Sequence, residues 1–185
     1  MLMKADQSFL LLIDLQEKLV PAVAKKQAVI ANTSLLVKAA RRLGVPVLAT
    51  EHYPRGIGHS VAELRRLLEP EEVLIKIHFS AQAEKDCAHR FAALKRPVVV
   101  VAGTEAHVCV LQTCLDLKSS GYQPCVVANA VSSRNAIDRE LALQRLQGAG
   151  LPIVTVEMVL FEWLARGDTS EFREILPLIK GVSAF

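Results

Sequence analysis

The run Val98–Ala102, VVVVA, constrains this chain most: five apolar, mostly β-branched residues with no polar alternation. Such a run fits a strand buried on both faces, as in a parallel sheet under helices. Five further short apolar runs share this character: Phe9–Ile13, Val45–Thr50, Val73–Ile77, Cys125–Ala128 and Ile153–Val156. Between them lie helical patterns at about Ile30–Leu43, Val61–Leu68, Ala81–Leu94, Ala106–Ser120, Arg134–Ala149 and Glu157–Arg166. A last helix is expected from near Thr169, with Asp168 as its cap and Glu171 three residues on. Gly44, Gly121 and Gly150 precede three of the strands. Pro46, Pro97, Pro124 and Pro152 sit at strand starts, where a missing N–H does least harm. Strand–helix alternation of this kind predicts an α/β domain with a parallel sheet covered on both sides.

With 185 residues the chain fits one domain, residues 1–185. A chain of this size buries ~70% of its unfolded surface, enough for a core without disulfides or metals. It is 51% hydrophobic and 22% charged, which excludes disorder. Net charge is +3, and the basic pairs Arg41–Arg42, Arg65–Arg66 and Lys95–Arg96 are scattered near helix ends rather than gathered on one face. No nucleic-acid partner is expected from that distribution. Phe9–Ile13 is too short for a secretory signal and ends in Asp14, and no segment approaches the ~18 apolar residues of a membrane helix. Cys87, Cys109, Cys114 and Cys125 lack CxxC or zinc-type spacing. Reduced thiols in a cytoplasmic protein are the expectation, with no membrane partner.

Ligands of an open α/β sheet bind beyond the carboxyl ends of the strands, so the polar residues placed there carry the functional signal. Asp14 ends the first strand, Glu51 and His52 the second, and Lys76 the third. Glu105, His107 and Cys109 follow the fourth; Asn129 and Ser132–Arg134 follow the fifth. A carboxylate directly after five apolar residues is expensive to bury alone, and so is an ammonium. Asp14 and Lys76 answer one another. Cys109, in the first turn of a helix that leaves a buried strand, adds a nucleophile where the helix dipole favours an anion. The three form a nucleophile–base–cation constellation. Read alone, Asp14 also fits a helix cap, and Lys76 a side chain reaching for solvent.

In order and spacing, LLLIDLQEKL around Asp14, KIHFSA around Lys76 and GTEAHVCV around Cys109 resemble the motifs of the isochorismatase-like cysteine hydrolases, which include nicotinamidases and N-carbamoylsarcosine amidases. VANAVSSR (127–134) and MVLFEWL (158–164) extend the likeness over nearly the whole chain. The resemblance implies a Rossmann-like three-layer α/β/α fold with a six-stranded parallel sheet, order 3-2-1-4-5-6. It implies Asp14, Lys76 and Cys109 as a catalytic triad, a cis peptide between Thr104 and Glu105, and an oxyanion hole from the N–H groups of Glu105 and Cys109. It also implies a homo-oligomer, for which Phe161 and Trp163 are candidate contacts.

Metal-binding members carry Asp-x-His…His after the second strand. Glu51, His52 and His59 stand in a different order here, so chemistry without a metal or other cofactor is expected. His52, Tyr53, Phe79, His107 and Arg134 are candidate pocket residues for a small-molecule substrate. Cys109 is expected to be more reactive than the other three thiols, on the strength of Lys76 and the helix N-terminus. The leading function is a cysteine hydrolase of an amide, ester or related bond. A binding or scaffold protein that keeps the fold is the alternative, and a redox thiol protein a third.

Overall fold

The computed structural model describes residues 2–181. Its strands are β1 (Ser8–Ile13), β2 (Val47–His52), β3 (Val73–Lys76), β4 (Val98–Thr104), β5 (Gln123–Ser132) and β6 (Ile153–Val154). Its helices are α1 (Lys26–Leu43), α2 (Pro54–Ile57), α3 (Ala62–Arg65), α4 (Lys85–Ala93), α5 (Leu111–Ser119), α6 (Ala136–Gly148), α7 (Val156–Leu164) and α8 (Ser170–Gly181). All pairings in the six-stranded sheet are parallel, in the order β3-β2-β1-β4-β5-β6. The order reverses between β1 and β4, so their carboxyl ends form the switch point.

β1 and β4 feed both faces of the sheet. Leu10, Leu12, Val98, Val100 and Ala102 join one core with α1, α7 and α8. Phe9, Leu11, Ile13, Val99 and Val101 join the other with α4, α5 and α6. This explains the missing polar alternation in both runs. No helix among the described residues is long and apolar enough to cross a membrane.

Three local differences from the sequence expectation have clear causes. β5 runs on to Ser132 because Asn129 satisfies itself sideways: its Oδ1 accepts from Val156 N–H and its carbonyl from Asn32 Nδ2. Thr169, not Asp168, caps α8, accepting from Phe172 N–H at 3.1 Å, while Asp168 pairs with Arg166. Trp163 lies in the core rather than on an outer face.

Gly103 decides how closely β1 and β4 approach. It pairs with Ile13 at φ +147, and a Cβ there would lie 2.3 Å from the Ile13 carbonyl oxygen. Gly103→Ala is expected to cost about 2–3 kcal/mol by forcing the two strands apart in a strained backbone region. A urea unfolding curve checks this, and an unchanged midpoint would contradict it.

The peptide joining Thr104 to Glu105 departs from the expectation: the described residues contain no cis bond. The sharp exit from β4 is made by Gly103 at φ +147 and by a π-helical turn, Ala106–Val110, that runs straight into α5.

Candidate active site

The register brings the site together. Ile13 pairs with Thr50 on one side and Gly103 on the other, and His52 pairs with Lys76. Asp14, one residue past β1, thus lies between the ends of β2 and β4. It adopts φ +51, a left-handed conformation that Asp tolerates better than most residues. Its backbone N–H donates to Thr50 O, and its carbonyl accepts from Gln16 N–H at 2.8 Å and from Thr104 Oγ1 at 2.6 Å.

Asp14 and Lys76 are fully buried and form an ion pair, Nζ to Oδ2 2.7 Å. The ammonium also donates to the carbonyls of His78 (3.2 Å) and Phe79 (3.1 Å), so its three donors are used. Cys109 belongs to the π-helical turn, a form often found at functional sites. Its thiol is buried beside the pair, in reach of both Asp14 and Lys76. The three residues singled out from the sequence therefore converge.

The thiol's protonation differs from the expectation. Burial first, and the Asp14 carboxylate second, push Cys109 up to about 12, with Lys76 pulling the other way. Burial also pushes Cys87 up to about 12 and Cys125 to about 11, and raises Cys114. Cys109 is thus not set apart at rest by a lowered value. Lys76 is already engaged by Asp14, so the thiol sits in the field of a pair rather than a lone cation.

This has a consequence for stability. Unfolded thiols titrate near ~8.5. A value raised in the folded state contributes stability that is whole below the unfolded value and is lost as pH rises through the folded one. Stability should therefore fall above about pH 8.5, by up to about 1.4 kcal/mol per pH unit for each buried thiol. Urea curves between about pH 7 and pH 10 check this; a flat profile would contradict it.

The candidate pocket residues fall into two groups. On the β2–β3 side, His52 stacks on Phe79, centroids 5.3 Å apart, next to the half-exposed Tyr53. Burial and Lys76 lower His52 below the usual imidazole range. On the β4–β5 side, Glu105 is buried, with Arg134 Nε at 3.0 Å and His107 Nδ1 at 3.3 Å from its oxygens. His107 Nδ1 also lies 2.9 Å from Ser133 Oγ. Glu105 opens the π-helical turn of which Cys109 is the fourth residue.

The residues where some family members bind metal do not fit one here. Glu51 Oε1 accepts from Ser60 N–H (2.7 Å) and Ser60 Oγ (2.9 Å), and Oε2 faces His59 Nδ1 at 2.8 Å. Burial alone would raise Glu51, but the Ser60 and His59 hydrogen bonds bring it below the ordinary carboxylate range. His52, the next residue along β2, turns to Phe79 instead. No cluster of three or more His, Cys, Asp or Glu that could hold a metal occurs among the described residues.

Sequence reasoning passed over Thr50 and Gln16, and named Thr104 for its peptide bond rather than its hydroxyl; all three are buried. Gln16 accepts from His52 N–H and donates to the carbonyls of His52 and Gly58, fixing the loop after β2. The usable signal was a hydroxyl at the end of each of two apolar stretches, VLAT and VVVVAGT.

The isochorismatase domain matches residues 8–158. The chain belongs to the isochorismatase family. It is 37% identical over 177 residues to the secreted isochorismatase effector Isc1 of Phytophthora sojae, covering 94% of this chain and 84% of that protein. The structure of MAR1 ribonuclease from Caenorhabditis elegans superposes with a TM-score of 0.92 at 33% identity, covering 100% of this chain and 95% of that one. The YcaC product of Escherichia coli, an octameric hydrolase of unknown specificity, superposes at 0.87 with 22% identity over 98% and 88% of the chains, a likeness of fold. Some relatives are longer: the chain spans 59% of the zebrafish isochorismatase domain-containing protein 1. This isochorismatase-family chain thus has the sheet order and layered fold of a hydrolase family.

Proposed function

We propose that the protein is a cysteine hydrolase acting on an amide, ester or related acyl bond of a small molecule, with Cys109, Asp14 and Lys76 as its triad. The observation that carries this reading is the sealed Asp14–Lys76 pair at 2.7 Å with a thiol beside it. An ion pair this deeply buried is a weak source of stability, so its position at the switch point argues for chemistry.

In this reading the thiol is neutral at rest. Asp14 Oδ2 takes its proton as the Sγ–C bond forms on the substrate carbonyl, and Lys76 steadies the negative charge that develops on sulfur before it passes to the carbonyl oxygen. The N–H groups of Glu105 and Cys109 receive the oxyanion. Asp14 returns the proton to the leaving group as its bond to the acyl carbon breaks. A water then attacks the thioester, giving its proton to Asp14, which passes it back to sulfur. His52, Tyr53 and Phe79 on one side and His107 and Arg134 on the other line the approach. No step needs a metal or cofactor.

The test is a screen of small amides and esters by mass spectrometry. An acyl mass addition on the Cys109 peptide, absent in Cys109→Ala, is expected. Adducts on other residues, or turnover undiminished in Cys109→Ala, would refute the reading. A ribonuclease name belongs to the C. elegans relative; RNA cleavage that survives Cys109→Ala would move the chemistry elsewhere.

The second reading, a binding protein that keeps the fold, draws on one observation: Cys109 stands as high as Cys87, pushed up to about 12. Labelling of Cys109 by iodoacetamide no faster than that of Cys87, together with a screen that yields no adduct, would favour it.

A homo-oligomer is part of the proposal. Ile75, Ile77 and Phe79 on and just beyond the edge strand β3 are more than half exposed, and Phe161 of α7 is 43% exposed. Light scattering at micromolar concentration is expected to give a multiple of the chain mass; a monomer would refute it. The four cysteines are free and buried, which fits a reducing, cytoplasmic setting.

A further inference from the structure

We propose that Thr50 is a positioning residue whose hydroxyl fixes which oxygen of Asp14 is left to receive the thiol proton. The inference rests on the hydrolase reading above.

The two oxygens of Asp14 are not equivalent. Oδ1 accepts from Thr50 Oγ1 at 2.7 Å, in a contact sealed from solvent. Oδ2 lies 2.7 Å from the Lys76 ammonium and takes no hydrogen bond from any other group among the described residues. A lone pair on Oδ2 is therefore open to the Cys109 thiol. Turning the carboxylate about its Cβ–Cγ bond would exchange the two oxygens, and the Thr50 hydroxyl resists that turn.

Thr50 suits the task because it is rigid. It lies in β2, paired with Ile13 of β1, and is 1% exposed. Its own carbonyl accepts from Asp14 N–H at 3.1 Å, so it holds Asp14 at both backbone and side chain. A threonine has one rotatable bond to its donor, and a strand restricts that bond further. Thr104 fixes the other end of the residue, through the Asp14 carbonyl at 2.6 Å. Between them the threonines hold a left-handed aspartate against reorientation, as a preorganised site requires.

A charge-assisted hydrogen bond also draws negative charge toward Oδ1. The Asp14 carboxylate is one of the groups that raise Cys109. Without the Thr50 hydroxyl the thiol meets a less neutralised carboxylate, and its alkylation profile should move to higher pH.

The experiment compares the full-length protein with Thr50→Val, which exchanges hydroxyl for methyl, and Thr50→Ser, which keeps the hydroxyl. p-Nitrophenyl acetate serves as the acyl probe, with the nitrophenolate burst and the Cys109 acyl adduct as readouts. Iodoacetamide alkylation of the Cys109 peptide across pH is the second, independent readout. Thr50→Val is expected to slow the burst by about 10- to 100-fold with little change in KM and to shift the alkylation profile upward, and Thr50→Ser to restore both. Equal behaviour of Thr50→Val and the unmodified protein overturns the inference. So does a Thr50→Ser variant as impaired as Thr50→Val, since packing alone then explains the loss. If Thr50→Val does not fold, Thr50→Ala removes the hydroxyl without adding a methyl and carries the same comparison. An unmodified protein that forms no Cys109 adduct refutes the hydrolase reading instead, and the alkylation profile then decides the role of Thr50.

Discussion

Lys76→Met is expected to destabilise the protein by about 3–5 kcal/mol. Methionine matches the length of the lysine stem, so little cavity is left. What is lost is the ammonium. Asp14 then keeps a carboxylate with no solvent exposure and no cation at 2.7 Å. The carbonyls of His78 and Phe79 lose the same donor. Urea unfolding gives the difference directly. The decisive control is Asp14→Asn/Lys76→Met, which removes both charges and keeps a residue that tolerates φ +51 at position 14. It should recover much of the loss, since a buried pair exchanged for neutral groups is often close to neutral in stability. A double mutant as unstable as Lys76→Met alone would trace the loss to packing rather than to the stranded charge.

The same pair illustrates what a sequence can disclose. Asp14 and Lys76 were legible because charge stands out where VLIK and LLLID are otherwise apolar, and a parallel sheet offers few places where two such groups can meet. The sheet order came from resemblance, and the switch point followed from it. Other features depend on contacts that have no sequence period. Gly103 looks like an ordinary turn glycine, yet its work is to let β4 lie against the Ile13 carbonyl. The π-helical turn at Ala106–Val110 is indistinguishable from an α-helical start in composition. Thr50 reads as the β-branched end of a strand and Thr104 as part of a turn after one, and only the structure turns their hydroxyls toward Asp14. The state of the thiol is not legible in the sequence, which shows the helix start and the cation but not the burial. Desolvation is a property of the packed site, and at Cys109 it weighs more than the Lys76 charge.

Asp14→Asn is expected to lower turnover by at least about 10⁴-fold while quickening alkylation of Cys109 at neutral pH. The two effects have one origin. In the unmodified protein the Asp14 carboxylate adds to burial in pushing the thiol up to about 12. Asparagine removes that anion and leaves Lys76 without its partner, so the cation acts on sulfur instead and the thiolate becomes easier to reach. Hydrolysis nevertheless fails, because an amide cannot carry the proton from thiol to leaving group and from water back to sulfur. Lys76→Met has the opposite signature: the carboxylate stays, the stabilising charge goes, and alkylation slows. Cys87 supplies an internal reference, since it is buried in the same protein and feels both Lys76 and Asp14 more weakly than burial. Peptide-resolved iodoacetamide labelling of the two variants, read as the Cys109 rate relative to Cys87, separates the cases. Opposite signs identify Asp14 as the proton carrier and Lys76 as the charge that steadies sulfur. Slowing in both variants would mean that the pair only holds the strand ends together, and Cys109 would then need another base.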